Sequence, residues 1–406
     1  MHPSELSIDT FQYELPEHRI AKFPLPERDQ SKLLVYGRGK IGDCRFNELP
    51  HLLDAGDLLM LNNTRVIPAR IILHKPTGGA IEVFCLDPIG SSHQDAMSAA
   101  SGIRWKCLVG GVKKWKDNQP IGVQMEHAGR TVQGYAAPVA RLNDAFMIEF
   151  TWDHPTMVFS EFLEAVGKIP LPPYFNRDVE LSDLERYQTV FSKYKGSVAA
   201  PTASLHFTTS VFDRLKARGV IIDELTLHVG AGTFKPVSSE TLQGHEMHSE
   251  WFSVSRNTIV KLRKREFKRL VAAGTTCLRT IESLYGLGVQ RLRGADWKEM
   301  PSLSQWEIYD YTNEAISLND ALDALLNYLD ETGSDFLHAT SALLIAPSFR
   351  FRLADGLITN FHQPKSTLMV LVAGVIGDDW KTVYRHALDN DYRFLSYGDS
   401  SLLWRV

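Results

Sequence analysis

The feature that most constrains this chain is a short apolar run that stops at polar residues, met three times. Leu58-Leu-Met-Leu61 runs into Asn62-Asn-Thr-Arg65, Val220-Ile-Ile-Asp-Glu-Leu-Thr-Leu227 into His228, and Val271-Ala-Ala273 into Gly274-Thr-Thr276. A strand this apolar must be covered on both faces, and in open α/β sheets such strands deliver polar groups to a crevice at their carboxyl ends. An Asn-rich turn accounts for residues 62–65 equally well. Helices are expected between and after these runs, over 211–218, 257–270 and 277–284. The alternation of strand, polar loop and helix predicts an α/β domain.

Residues 70–150 have another texture. Short alternating segments near 80–86, 105–109, 122–126, 131–135 and 145–150 are separated by Gly, Asn and Pro, which predicts a small β-barrel or sandwich inserted into the α/β domain. Further helices are expected over 46–53, 157–166, 181–193 (capped by Ser182 or Asp183), 318–329, 366–375 and 380–388, and strands over 31–36, 343–352 and 356–362. From about 284 to 342 the α/β alternation is lost.

The length of 406 residues suits two domains, and 44% hydrophobic with 23% charged residues is ordinary for a soluble protein. No run approaches the roughly twenty apolar residues of a membrane helix, and no secretion signal is read at the start. The 4 cysteines are scattered without a Cys-x-x-Cys pair, which favours a reducing cytoplasm. A net charge of −4 gives no global pull toward nucleic acid, so such contact needs a local basic patch. Arg28, Asp29 and Ser31 sit together before a strand, where an Arg–Asp pair is either structural or holds an anionic group.

Gly196-Ser-Val-Ala-Ala-Pro-Thr-Ala-Ser-Leu-His-Phe207 is nearly uncharged and rich in small residues, so its backbone can approach a ligand closely. A tight turn with Thr202 or Ser204 capping the next helix is the structural alternative. Four further runs mix Gly or Pro with His, Thr, Ser, Arg or Lys, at 226–236, 245–251, 274–280 and 359–367, and read as loops of the same pocket. His245-Glu-Met-His248 lacks the helical i, i+4 spacing of the His-Glu-x-x-His zinc motif. There is no Gly-x-Ser-x-Gly elbow, and Gly230-Ala-Gly232 is an incomplete dinucleotide fingerprint. A nucleoside-like ligand and proton transfer by His, Asp or Glu fit what remains.

Phe23-Pro-Leu-Pro-Glu-Arg-Asp-Gln-Ser-Lys32, Leu61-Asn-Asn-Thr-Arg-Val-Ile-Pro-Ala-Arg70, Leu171-Pro-Pro-Tyr174, Ala199-Ala-Pro-Thr-Ala-Ser-Leu-His-Phe-Thr208, Thr226-Leu-His-Val-Gly-Ala-Gly-Thr-Phe-Lys-Pro-Val237, Met247-His-Ser-Glu-Trp251, Gly274-Thr-Thr-Cys-Leu-Arg-Thr-Ile-Glu-Ser283, Thr359-Asn-Phe-His-Gln-Pro-Lys-Ser-Thr-Leu368 and Tyr392-Arg-Phe-Leu-Ser-Tyr-Gly-Asp399 resemble, in order, the S-adenosylmethionine:tRNA ribosyltransferase-isomerase family of queuosine biosynthesis. The resemblance implies an α/β main domain with a mixed sheet (1–69 and 151–406) and an inserted small β-barrel domain (70–150). It implies transfer and isomerisation of the ribosyl part of S-adenosylmethionine onto 7-aminomethyl-7-deazaguanine at the tRNA wobble position, giving epoxyqueuosine with release of adenine and methionine. It further implies a cytoplasmic enzyme, a monomer without membrane contact, with no metal and no cofactor beyond S-adenosylmethionine as co-substrate.

The residues expected to move protons are His206, His228, His248 and Glu250. Those expected to hold the methionine carboxylate, ribose hydroxyls and tRNA phosphate are Arg65, Thr202, Thr233, Thr276, Arg279, Asn360, His362 and Lys365. Departures from the family pattern fall at Asn63, Ser204, Gln363, Gly110-Gly-Val-Lys-Lys114 and Ser341-Ala-Leu-Leu-Ile-Ala-Pro347, and 284–342 reads as a family-atypical insertion. Two alternatives follow: an S-adenosylmethionine enzyme with another acceptor, and a non-catalytic tRNA- or nucleoside-binding relative.

Overall fold

The computed structural model describes residues 2–75, 78–115, 119–143, 145–230, 237, 239–311 and 315–405. Leu58–Asn62 forms a strand buried at every position, as its apolar run predicts. It lies parallel to Ile221–Leu227 on one side and to Leu270–Ala273 on the other. Around this centre ten strands make one mixed sheet, in the order Ser302–Leu303, Phe336–Ser341, Glu250–Ser255, Ile221–Leu227, Leu58–Asn62, Leu270–Ala273, Gly356–Asn360, Ser400–Trp404, Lys32–Gly37, Lys40–Arg45. Leu58 and Met60 enter the core on one face of the sheet, and Leu59 and Leu61 the core on the other, so both faces are covered.

Seven strands between Arg70 and Lys168 form a second, wholly antiparallel sheet with a core of its own around Trp105, Ile148, Phe150, Phe159 and Phe162. Register shifts at Cys85/Asp87 and Met147/Ile148 bend it into a half-barrel, bringing Arg70–His74 near Ile121–His127.

Several expected elements differ. The helix expected over 181–193 is one turn, Asp183–Arg186. The Asp183 carboxylate is engaged by Arg177, Tyr397 and the Glu180 N–H, and Gln188 bonds the backbone of Val66 through its side chain, so this segment is held by tertiary contacts. Thr202–Ser204 is a short 3₁₀ turn, and the helix that follows, Thr209–Ala217, is capped by Thr208 rather than Thr202 or Ser204. Residues 46–51 are likewise 3₁₀, with Pro50 inside, and 343–352 form no strand.

The helix expected over 277–284 runs over Thr275–Leu292 and is almost wholly buried. It continues into the stretch where alternation is lost because Leu284, Tyr285, Leu287 and Val289 stay apolar and packed. Gly288 lets the helix Leu318–Thr332 approach; a Cβ there would come 2.2 Å from the Ala321 carbonyl oxygen. Residues 284–342 therefore build one edge of the ten-stranded sheet and its covering helices.

Candidate functional site

The central strands converge on their carboxyl ends. Leu270–Ala273 ends at Gly274, whose φ of 106° turns the chain into the long helix, whose start has no side-chain cap. Gly356–Asn360 ends in Asn360 and the loop through His362, which leads to the helix Thr367–Ile376; Ser366 caps that helix by accepting from the Met369 N–H at 3.2 Å. These two helix starts and the small-residue loop 199–203 wall a cleft of ≈ 870 Å³, counting solvent at its mouth. Thr202, Thr276, Asn360 and His362 line it, with Tyr174 and Ser396, which share a 2.5 Å hydrogen bond. A second lobe of ≈ 440 Å³ shares Thr275, Thr276, Thr367 and Leu368 with the first and adds His245, His248, Glu250 and Arg279. Ala199, Ala200, Pro201 and Ala203 of the loop line the first lobe with small side chains.

Electrostatics separates the lobes. In the second, Glu250 and Arg279 form a buried ion pair, and Glu250 Oε1 also accepts from the Gly230 N–H at 3.1 Å. Burial lowers the Arg279 guanidinium to about 10. His248 is exposed at the rim of this lobe, and His245, half-buried, is pushed down by burial and by His248. In the first lobe Asn360 is 2% exposed, and its Oδ1, like Thr276 Oγ1, has no hydrogen-bond partner among the described residues. An unpaired buried acceptor is costly, which fits a place that a ligand donor fills. His362 bonds Thr359 Oγ1 through Nε2 at 2.8 Å, its N–H donates to the Tyr384 hydroxyl at 3.1 Å, and the Tyr13 hydroxyl donates to its carbonyl. Burial lowers His362 to about 3, so at neutral pH it is an uncharged hydrogen-bonding group.

The remaining expected residues lie elsewhere. His206 sits behind Asn360, with Nε2 3.4 Å from Asn360 Nδ2 and Nδ1 3.3 Å from the Arg28 carbonyl; burial lowers it to about 4. A proton on Nδ1 satisfies both contacts. His228 packs flat on Trp251 at 4.8 Å and against His93 at 4.7 Å, and bonds Thr64 Oγ1 at 2.9 Å. It lines neither lobe. Arg65 is exposed on the strand Thr64–Val66, and Lys365 pairs with Asp9 at 2.5 Å; both stand outside the cleft. Thr233 lies outside the described residues. Sequence reasoning did not single out Ser396 or Thr367, although both fall in runs that carry the family resemblance. Among the described residues no group of three or more His, Cys, Asp or Glu is placed to hold a metal ion, and no helix is long and apolar enough to cross a membrane.

A family profile described as "Queuosine biosynthesis protein" matches residues 8–403. The S-adenosylmethionine:tRNA ribosyltransferase-isomerase of Legionella pneumophila (strain Lens) is 38% identical over 97% of this chain and 98% of its own length. That of Halothermothrix orenii is 36% identical over 98% of this chain and 100% of its own. A crystal structure of S-adenosylmethionine tRNA ribosyltransferase from Thermotoga maritima, 27% identical, covers 97% of this chain and 99% of its own with a TM-score of 0.45.

Proposed function

The chain belongs to the queuosine biosynthesis protein family, and from that premise we propose how its cleft carries out the reaction. It is an S-adenosylmethionine:tRNA ribosyltransferase-isomerase with S-adenosylmethionine and tRNA as substrates. The acceptor is 7-aminomethyl-7-deazaguanine at the wobble position, and the product is epoxyqueuosine. The observation that carries this reading is the meeting of runs 199–203, 274–279 and 359–368 at one cleft.

The sulfonium acidifies the neighbouring C5′ of the donor, so a single base can remove a proton there while adenine departs. His248 takes that proton at the rim of the second lobe, and Glu250, fixed by Arg279 and the Gly230 N–H, orients the sulfonium end. Arg279 and the uncapped N–H groups after Gly274 meet the methionine carboxylate. Thr202, Thr276 and Asn360 receive ribose and adenine donors, and neutral His362 lends a hydrogen bond without adding charge. The acceptor amine then attacks the sugar fragment, and methionine leaves as the epoxide closes. The buried walls keep water from the intermediates. His206 acts through Asn360, and His228 and Gly196 hold the loop 196–203 in place. Arg65, Lys365 and Thr233 are assigned to tRNA.

The half-barrel is read as the inserted domain expected over 70–150, continued to Lys168 by the strand and helix that complete its sheet and core, and the rest as the main domain; the enzyme works as a cytoplasmic monomer. The test is purified protein with S-adenosylmethionine and tRNA carrying the modified wobble base, following released adenine and the mass of the wobble nucleoside together. Adenine release with the epoxyqueuosine mass is expected. Donor binding with this tRNA left unmodified would refute the acceptor.

A further inference from the structure

Of the group Arg28, Asp29 and Ser31 noted in the sequence, Asp29 accepts from Thr208 Oγ1, while Arg28 and Ser31 line a second recess, of ≈ 280 Å³, that the reaction above does not use. Three guanidiniums line it: Arg28, Arg186 and Arg393. Arg28 donates to the carbonyls of Glu185, Gln188 and Leu205, and Arg186 to those of Leu25 and Pro26, so two loops clamp each other and fix both side chains. Carbonyls do not neutralise charge. Asp399 is the carboxylate nearest Arg393, 3.7 Å away, and its oxygens already accept the Lys32 and Arg393 backbone N–H groups. Asp183 is committed to Arg177 and Tyr397, and Glu185, exposed and outside the lining, offsets part of the Arg28 charge from solvent. His206 and Tyr397 also line the recess; burial lowers the His206 imidazole to about 4, and burial with the bond to Asp183 raises the Tyr397 hydroxyl, so both are uncharged at neutral pH. The recess is therefore lined by three fixed arginines and by no carboxylate.

Two buried polar atoms at this recess lack partners among the described residues: Ser31 Oγ, on a residue 1% exposed, and Arg186 Nε. Both can donate, and with the guanidiniums they form a built set of donors awaiting an anion. Arg28, Arg186 and Arg393 are each partly exposed, so the recess opens at the surface. Ser396 lines both the recess and the cleft, and the His206–Asn360 contact forms the wall between them. A base that enters the cleft has to leave its stack and be held by its backbone, and phosphate contacts supply that positioning.

We propose that Arg28, Arg186, Arg393 and Ser31 bind a phosphodiester group of the tRNA backbone flanking the nucleotide whose base enters the cleft. The assignment rests on the reading of the protein as a tRNA-modifying enzyme. Arg393 is the residue to change. Its guanidinium has only long contacts, to the Phe23 carbonyl at 3.4 Å and to Asp399, so Arg393→Gln removes the charge while Arg28 and Arg186 keep the loops clamped.

The experiment measures tRNA binding by fluorescence anisotropy over a salt series, and S-adenosylmethionine binding by calorimetry, for wild type, Arg393→Gln and Ser31→Ala, with melting curves alongside. Arg393→Gln is expected to weaken tRNA roughly tenfold and to lower the slope of log affinity against log salt by about one, leaving the donor's affinity unchanged. Should that variant melt early, Ser31→Ala decides: a loss of about threefold in tRNA affinity upholds the site, and no loss overturns it. A folded Arg393→Gln with wild-type tRNA affinity and slope overturns the proposal. So does weakened donor binding with tRNA binding intact, which would give the recess to the donor's carboxylate. Binding is read without turnover, so failure of the proposed reaction shows separately, as wild type that leaves the tRNA unmodified.

Discussion

Among single residues, the histidines divide by environment. His206 and His362 are buried and pushed to about 4 and about 3, below the 6.5 of an exposed imidazole. The unfolded chain therefore binds protons first as pH falls, so both groups cost no stability above pH 6.5 and destabilise progressively as pH drops from there toward their folded values. His206→Gln is expected to flatten the loss of stability by about 1.4 kcal/mol per pH unit in that window, read from urea unfolding at pH 5 and pH 7. At Gly196 a Cβ would come 2.6 Å from the His228 ring, at a φ of 153°. Gly196→Ala should cost about 1–3 kcal/mol and loosen the 199–203 wall, seen as a lower denaturant midpoint with a higher KM for S-adenosylmethionine. His248→Ala is expected to lower kcat by about 10²–10⁴ with melting unchanged, because His248 is exposed and proposed to act only on the proton. Residue types in the runs pointed to the cleft, but one strand-end histidine looks like another in sequence. His228 ended in an aromatic stack because Trp251 and His93, far apart in the chain, come to it from other elements.

Elements were legible where local pattern and burial agree. The three apolar runs became three adjacent parallel strands, since nothing but a doubly covered sheet can hold them. Where tertiary contacts hold the backbone, the pattern misled: residues 181–193 carry helix-favouring residues, yet Asp183 and Gln188 are spent on partners elsewhere. The long helix exceeded its expected end because Gly286 and Gly288, weak helix formers, serve close packing against Leu303 and Ala321. Gly288→Ala should destabilise by about 3 kcal/mol, since backbone rather than a movable side chain occupies the space, and a shift in urea midpoint at constant slope measures it.

For the whole molecule, two sheets with separate cores were foreseen from the change of texture near residue 70, and their composition made them separable by eye. Which loops would share a cleft was not, because the ten-stranded order mixes strands from every part of the chain. Ser400–Trp404 lies between Gly356–Asn360 and Lys32–Gly37, parallel to the latter. Removing residues 400–406 should abolish donor binding and the near-ultraviolet signature of packed aromatics, measured by calorimetry and circular dichroism. That same placement governs how the enzyme is born. A sheet that pairs residues 33–36 with residues 400–403 cannot close until both have been synthesised, and contacts of such long range make closure slow. Residues 400–404 must therefore have left the ribosome before the sheet can present a finished cleft to a tRNA.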